Sequence, residues 1–132
     1  MLKTPIFVYI IGEGASGGAL GIGVGNKVYM LENTWYTVIA PESCSSILWR
    51  NWDHKEDAAN ALKLTPQDAL REKFIDGIIE EPLGGAHYDP QVAYEHLKTS
   101  ILHNIKAFSS FTGKELETQR QDKFIAMGQF KG

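Results

Sequence analysis

The sequence predicts an α/β fold built of short strands and short helices. Residues 6–11 form an unbroken apolar run, and six apolar residues in succession fit a strand of a sheet that is covered on both faces. A glycine-rich stretch over residues 16–24 follows and is expected to form a helix. Residues 35–40 are rich in aromatic and β-branched side chains, which favour a further strand. These three observations predict a strand, a helix and a further strand, in this order.

The elements between and after these three follow from local signals. Residues 27–31 read as a short strand, and Pro41 predicts a helix over residues 41–49, because proline suits the first helical position. A third helix is expected over residues 57–63. Thr65 and Pro66 predict a fourth helix that buries Ala69 and Leu70, and residues 74–79 are expected to be extended.

Two helices are predicted for the C-terminal part of the chain. Asp89 and Pro90 begin the longer one, and an apolar stripe marks its buried face. Thr112 and Glu115 have the spacing of a capping box at the start of the last helix. We expect one domain over residues 1–132, with a core portion over 1–88 and C-terminal helices over 89–132. The stripe of the longer helix consists of Ala93, Leu97, Ile101, Ile105 and Phe108, and the looser stripe of the last helix of Leu116, Phe124, Ile125 and Met127.

Composition excludes several classes of protein. With 132 residues, 43% hydrophobic and 22% charged, the chain has the composition of an ordinary globular domain. The formal net charge of -3 provides no basic surface for nucleic acid, and no apolar run is long enough for a membrane span. Cys44 is the only cysteine, so neither a disulfide nor a zinc–thiolate site is expected. His96 and His103 lie seven residues apart on one predicted helix, and we read them as its solvated edge. The expectation is a cytoplasmic protein without a metal.

The glycine-rich turn at residues 12–18 carries the strongest functional signal. The first turn of a helix has backbone N–H groups without internal acceptors, and the helix dipole adds partial positive charge there. An anion, or an oxygen that becomes one, is stabilised at such a place. Gly21 and Gly23 each cost about 1 kcal/mol relative to alanine inside a helix, so another requirement must favour them. Close packing of Gly17, Gly21 and Gly25 along one helix face is the structural alternative.

Two other kinds of chemistry fit parts of this turn. Gly12, Gly14 and Gly17 have the spacing of a dinucleotide-binding loop, with Glu32 near the place of a ribose-binding acid. Only nine residues separate Gly17 from the next strand, however, which is too short for a full crossover helix. Ser16 could instead be a nucleophile of the kind found in signal-peptide peptidases, but no partner base is recognisable. The simplest interpretation is that Ser16 caps the helix.

The order of strand, Gly-Gly helix, two strands and Pro-Glu helix resembles the ββα units of the crotonase superfamily. In its hydratase branch, one glutamate follows the Gly-Gly pair and another lies at a Pro-Glu step. Here Ala19 and Leu20 occupy the first position, although Pro41 and Glu42 match the second. The resemblance therefore implies a crotonase-like ββα-superhelix fold in which oxyanion stabilisation replaces acid–base catalysis.

Three motifs make the resemblance more specific. GEGASGGALGIGVGNKVYML, APESCSSILW and EPLGGAH occur in this order and are similar to the bacterial acetyl-coenzyme A carboxylase carboxyltransferase α-subunit family. The family's chains are more than twice as long, so these residues are expected to correspond to their C-terminal part. Members transfer a carboxyl group from carboxybiotin, held on the biotin carboxyl carrier protein, to acetyl-coenzyme A, which gives malonyl-coenzyme A for fatty acid synthesis.

The resemblance also implies partners and site residues. The partners would be a zinc-ribbon β subunit, a second α subunit in an α2β2 assembly, biotin carboxylase and the biotin carrier protein. The amides of Gly17 and Gly18 would face the ureido oxygen of biotin. The substrate-binding turn would be formed by Gly14, Ala15, Ser16 and Ala19, with Ala19 packed on a neighbouring strand, and further candidates are Glu42, Gly84, Gly85 and His87. Simpler interpretations also exist, namely a first-turn helix carboxylate for Glu42 and a plain turn for the glycine pair.

Two alternative functions remain open from the sequence. The chain could be a non-catalytic interaction or folding module, or a serine peptidase that uses Ser16. Trp35, Trp49 and Trp52 are expected in the core or at a subunit interface, and Cys44 is expected to be buried.

Overall fold

A computed structural model describes residues 2–128 of the chain. These residues contain five short strands and six helices, in agreement with the α/β fold that the sequence predicts. In chain order they are β1 (Phe7–Ile10), β2 (Glu13–Ala15), α1 (Ser16–Ile22), β3 (Lys27–Leu31), β4 (Trp35–Thr37), α2 (Pro41–Trp49), α3 (Lys55–Leu62), α4 (Pro66–Arg71), β5 (Gly77–Ile79), α5 (Pro90–Phe108) and α6 (Gly113–Ile125).

The strands form two parallel sheets. The first sheet has the order β1-β3-β5, and the second pairs β2 with β4. The chain passes from β1 to β2 through Ile11 and Gly12, and from β3 to β4 through a short turn, so each pair of strands contributes one strand to each sheet. A helix follows each pair, α1 after β2 and α2 after β4. Two consecutive ββα units result. The second has the element order expected from the sequence, whereas β2 of the first was not predicted.

The core lies around β3, the middle strand of the first sheet. Val28 and Met30 are buried there and pack with Ala69 of α4 and Ile75. Burial on both faces explains why β3 reads as an almost continuous apolar segment. The predicted bounds of β3 and α2 are confirmed, whereas β4 ends at Thr37 rather than at residue 40, and Leu70 of α4 is exposed rather than buried.

Helix α5 packs on the first sheet through polar as well as apolar groups. The rings of Tyr9 and Tyr29 stack with centroids 5.3 Å apart on the neighbouring strands β1 and β3. Asn104 of α5 is buried between them: its Nδ2 donates to the Tyr9 hydroxyl at 3.0 Å, and its Oδ1 accepts from the Tyr29 hydroxyl at 3.0 Å. The predicted stripe is therefore wrong at Ile105, which is 52% exposed, because the helix turns Asn104 toward the sheet instead.

Helix α6 is joined to the sheet by a buried polar cluster. Asn26 is completely buried, and its Oδ1 accepts hydrogen bonds from the Ile6 amide at 3.1 Å and from Arg120 of α6 at 2.7 Å. The predicted capping box of Thr112 and Glu115 is present at the start of the helix. Of its expected stripe, Leu116 is buried, but Ile125 is 81% exposed.

The tryptophans and the cysteine are more exposed than a place in the core would require. Trp52 is 66% exposed and Trp49 is exposed as well, so neither belongs to the core, and Trp35 is half-buried. Cys44 is also only half-buried, because it lies on α2, whose outer face is open to solvent. The role of the tryptophans at a subunit interface remains a prediction. None of the described helices combines the length and apolar character that a membrane crossing requires.

Candidate active site

The predicted site lies at the sharp turn between β2 and α1. The strand ends at Ala15, whose extended backbone (φ -128°, ψ 154°) precedes the helix, and Ser16 begins the helix with a φ of 67°. A non-glycine residue in this left-handed region is uncommon and is found preferentially at functional turns. No side chain of the described residues caps α1, so the prediction that Ser16 caps the helix is wrong. Ser16 is instead part of the turn, as the first residue of α1.

Gly17 and Gly18 form an exposed pair at the start of α1. An added Cβ atom at either position would meet no described atom within 4 Å, and the same holds for Gly21. Packing of Gly17, Gly21 and Gly25 on one helix face is therefore wrong for the first two glycines. Of these three glycines, Gly25 alone is required by packing, because an added Cβ would lie 2.8 Å from Val8 Cγ2. The glycine pair leaves a bare backbone with open space in front of it.

The amides of Gly17 and Gly18 are available as hydrogen-bond donors. N–H groups in the first helical turn have no acceptor within the helix, and no other described residue accepts a hydrogen bond from these two. No acidic side chain lies in the first turn of α1 to compensate the partial positive charge of the dipole. The turn can thus accept negative charge on an oxygen atom without the help of a titrating group.

Residues on the inner side of the turn contact Tyr36 of β4. Gly14 pairs with Tyr36 in the second sheet, and an added Cβ on Gly14 would lie 2.9 Å from the Tyr36 ring. The Tyr36 hydroxyl donates to the carbonyl oxygen of half-buried Ala19 at 3.4 Å. Burial raises the pKa of Tyr36, so the hydroxyl stays protonated and acts as a donor. Ala19 thus contacts β4 through its backbone carbonyl, and the packing of Ala19 that the resemblance implies remains a prediction.

The second candidate region is the loop between β5 and α5. Gly84 and Gly85 have φ values of 95° and 92°, which explains why both positions are glycine. The Gly85 amide donates to the Pro82 carbonyl at 2.8 Å, so one of the two amides is used within the turn itself. The interpretation of this glycine pair as a turn is confirmed, and a role in substrate binding remains a prediction.

A polar cavity of about 510 Å³ lies between this loop and the residues that follow β1 and β3. Its lining includes exposed His87, both loop glycines and Ile11, the residue that follows β1. A second cavity, of about 370 Å³, begins at the same Ile11 and extends along β2 and α1. The loop thus borders one space, and Gly14 of β2 and Ala19 of α1 border another. The two spaces share Ile11 at the carboxyl end of β1, and open α/β sheets commonly bind ligands at the carboxyl ends of their strands.

Glu42 has no described contact with either of these two regions. It is exposed in the first turn of α2, and its backbone carbonyl accepts a hydrogen bond from Ser46 Oγ at 3.0 Å. The position of this carboxylate matches its expected interaction with the helix dipole. No group of three or more His, Cys, Asp and Glu side chains within residues 2–128 has an arrangement that could hold a metal ion.

Two residues that organise the site were not identified from the sequence. Tyr36 supports α1, and Glu81 accepts hydrogen bonds from Asn33 and Ala86 and so fixes the Gly84–Gly85 loop. For Glu81 the only signal was its position at the start of the EPLGGAH motif, and for Tyr36 there was none beyond its aromatic strand.

Comparisons with known proteins agree over nearly the whole chain. A family described as acetyl co-enzyme A carboxylase carboxyltransferase-like matches residues 1–128. Acetyl-coenzyme A carboxylase carboxyl transferase subunit alpha from Flavobacterium psychrophilum is 57% identical over 129 residues, which are 98% of this chain and 41% of that protein. The subunit from Chlorobium luteolum is 55% identical over 96% of this chain and 38% of its own length. The chain therefore spans about two fifths of the length of these relatives.

A solved structure shows the fold. Transcarboxylase 12S, crystallised with methylmalonyl-coenzyme A and methylmalonic acid, matches 82% of this chain and 21% of its own chain with a TM-score of 0.62. The sequence identity is 16%, so the likeness concerns the fold alone. The crotonase-like architecture expected from the order of strands and helices is confirmed.

Proposed function

The chain belongs to the acetyl co-enzyme A carboxylase carboxyltransferase-like family, and on that premise we propose that it forms the biotin-binding part of a carboxyltransferase α subunit. The reaction is the transfer of the carboxyl group of carboxybiotin to acetyl-coenzyme A, which gives malonyl-coenzyme A for fatty acid synthesis. The observation that carries the proposal is the bare pair of amides at Gly17 and Gly18, which faces open space at the start of α1.

The chemistry of the transfer explains why backbone amides suit the task. Carboxybiotin supplies carbon dioxide, and negative charge is left on its ureido oxygen. The amides of Gly17 and Gly18 would donate to that oxygen and hold the charge without a change in their own protonation. Donors that are oriented in advance typically lower a barrier by about 3 to 4 kcal/mol each. The absence of a side chain at both positions leaves room for a planar group to approach the backbone.

The surrounding residues would shape and border the biotin-binding turn. Gly14 and Ala15 end β2, and the backbone of Ser16 reverses direction there so that the two glycine amides lead the helix. Ala19 ties α1 to β4 through Tyr36. Glu42, Gly84, Gly85 and His87 are further substrate-binding candidates, of which the last three border the polar cavity beside Ile11.

The proposal requires other protein chains. The substrate would arrive on the biotin carboxyl carrier protein after biotin carboxylase has loaded it, and acetyl-coenzyme A would be presented by a zinc-ribbon β subunit. Two α and two β subunits would form the assembly, with no metal held by this chain. The exposed apolar residues of α2, among them Ile47 and Leu48, give this assembly a surface to cover. A cytoplasmic location remains a prediction from the sequence.

Two alternatives can be weighed against this proposal. Ser16 Oγ makes no hydrogen bond to a described histidine or lysine, so the observations favour carboxyl transfer over a serine peptidase. A fluorophosphonate probe that labelled Ser16 would revive the peptidase reading. A non-catalytic module remains the alternative for these 132 residues when they act without a partner.

The test of the function is an assay of the reverse half-reaction. Decarboxylation of malonyl-coenzyme A that depends on added biocytin is measured for an α subunit containing these residues, with and without the β subunit. We expect turnover only in the mixture, because the oxygen of the thioester needs its own donors. Absence of turnover in both reactions would contradict carboxyl transfer and leave the interaction module.

A further inference from the structure

Helix α1 is held in place by few side chains of its own. None of its seven residues is buried among the described part of the chain. Three of them are glycines at which an added Cβ atom would meet no neighbouring atom within 4 Å, namely Gly17, Gly18 and Gly21. The position of α1 must therefore depend largely on the residues of the second sheet that contact it.

Tyr36 provides that support from the second sheet. Its hydroxyl donates to the Ala19 carbonyl of α1 at 3.4 Å and occupies the space that a Cβ atom on Gly23 would need. Its ring contacts Gly14 of β2, where an added Cβ would lie 2.9 Å from Cδ2. Two glycines, one before α1 and one at its end, thus leave room for one tyrosine.

The backbone of Tyr36 is held by hydrogen bonds, whereas unfilled cavities lie beside α1. The Tyr36 amide donates to the Leu64 carbonyl at 3.3 Å, and its residue pairs with Gly14 in the sheet. Cavities of about 370 Å³ lie on both sides of the contact, and both are lined by Tyr36 and Gly23. Because interiors transmit displacement where atoms touch, a change at this contact would move α1 into the neighbouring space.

We propose that Tyr36 is a positioning residue that sets the height of α1 above the β2–β4 sheet, and thereby the place of the Gly17 and Gly18 amides. The inference rests on the proposed function for its catalytic consequence, since the amides are the groups that would bind the biotin oxygen. Tyr36 itself need not touch the substrate. Gly23 is the complementary half of the contact, because its missing side chain admits the hydroxyl.

A compensating pair of substitutions tests this contact. Gly23→Ala should force α1 and Tyr36 apart, since the backbone at Gly23 (φ -69°, ψ 1°) accepts alanine and the Tyr36 hydroxyl is the one atom that the added Cβ would meet at less than 3.0 Å. Tyr36→Phe removes that hydroxyl. The added Cβ would then lie 3.1 Å from Ala19 O and 3.3 Å from the ring, which shifts of a few tenths of an ångström relieve. The double variant should therefore restore the position of α1 that Gly23→Ala disturbs.

The expected effects concern kcat in the carboxyltransferase assembled with an α subunit that contains these residues. A misplacement of about 1 Å can cost about 100-fold in rate, so Gly23→Ala should lower kcat by about 100-fold. The KM for acetyl-coenzyme A should stay within about twofold, because interactions made in the transition state act on kcat. Tyr36→Phe alone should cost about threefold, and the double variant should lie within about tenfold of the parent.

A structural readout accompanies the kinetics, with matched controls. Hydrogen exchange of the α1 amides should accelerate in Gly23→Ala and return toward the parent rate in the double variant. Gly21→Ala adds the same methyl group on the same helix where no atom lies within 4 Å, and should not accelerate exchange. Tyr94→Phe removes an exposed hydroxyl from α5 and should leave kcat unchanged. If Gly23→Ala does not fold, Tyr36→Leu should lower kcat about tenfold and accelerate α1 exchange.

The outcomes separate this inference from the proposed function. A parent enzyme without biocytin-dependent turnover would contradict the function, while hydrogen exchange in Gly23→Ala, the double variant and Gly21→Ala would still decide whether Tyr36 fixes α1. An active parent whose kcat is unaffected by Gly23→Ala, or a double variant no better than Gly23→Ala, would overturn the positioning role.

Discussion

The Glu81 carboxylate accepts a hydrogen bond of 2.6 Å from the Asn33 amide, which joins the loop before α5 to the turn after β3. Its other oxygen accepts from the Ala86 amide at 2.8 Å. One side chain thus fixes the segment that contains the candidate residues Gly84, Gly85 and His87. Asn33 and Glu81 are 48 residues apart in the sequence. Their hydrogen bond joins the turn after β3 to the loop before α5, and neither segment is itself part of a strand.

Glu81→Ala should lower the free energy of unfolding by about 2 kcal/mol, because two amides lose a charged acceptor. Urea denaturation measures this change, and exchange of the Ala86 amide should accelerate. Glu80→Ala is the matched control, since the neighbouring carboxylate is exposed and only its backbone carbonyl is bonded, to His96. Equal losses in the two variants would contradict the role assigned to Glu81.

Asp76 should make stability depend on pH. Its burial alone would raise the pKa, but hydrogen bonds from Lys123, from the Val28 amide and from Lys27 outweigh the burial and hold the pKa below 3.8. A group whose pKa is lowered by folding stabilises the protein fully above its ordinary pKa. That contribution is lost as the pH falls below about 3.8 toward the lowered value.

Asp76→Asn should cost about 3 kcal/mol at neutral pH, because Lys123 and Lys27 lose their partner. The difference in stability between variant and parent should shrink as the pH is lowered from 5 to 3. Urea denaturation across this range checks it, with Asp122→Asn on the exposed side of α6 as the control. A difference that is independent of pH would contradict the assignment.

Ser16 should tolerate glycine but not a β-branched residue. At a φ of 67°, Ser16→Val should lower stability by about 1 to 2 kcal/mol, because the left-handed region brings Cβ close to the backbone. Ser16→Gly should be neutral or stabilising. Thermal unfolding compares the two, and equal stability would show that the turn does not require the left-handed conformation.

Most of the fold could be predicted from local signals. Strand β3 and helix α2 have the predicted bounds, because a buried apolar run and a proline at the first helical position are both local. The capping box of α6 is of the same kind. Strand β2 was missed because its three residues, two of them Gly14 and Ala15, carry no alternating pattern, and only pairing with β4 makes them a strand.

Buried polar residues were the other source of error. The burial of Asn26 and Asn104 was not predicted because their partners on other elements lie about 75 to 95 residues away along the chain and meet them only in the folded protein. The same limit applies to the site. The motif predicts Gly17 and Gly18 as site residues, but the support from Tyr36 and the link through Glu81 depend on tertiary contacts that spacing does not encode.

The proposed oxyanion site is tested most directly by Gly18→Val in the assembled carboxyltransferase. Valine would fill the open space before the amide pair and narrow the approach to it, while no neighbour within 4 Å would be displaced in the described chain. Gly21→Val, one turn along the same helix and equally open, is the matched control. The measurement is kcat for biocytin-dependent decarboxylation of malonyl-coenzyme A in preparations with equal folded α subunit. We predict a loss of about 100-fold or more for Gly18→Val and near-parental turnover for Gly21→Val; near-parental turnover for Gly18→Val would contradict the assignment of the amide pair.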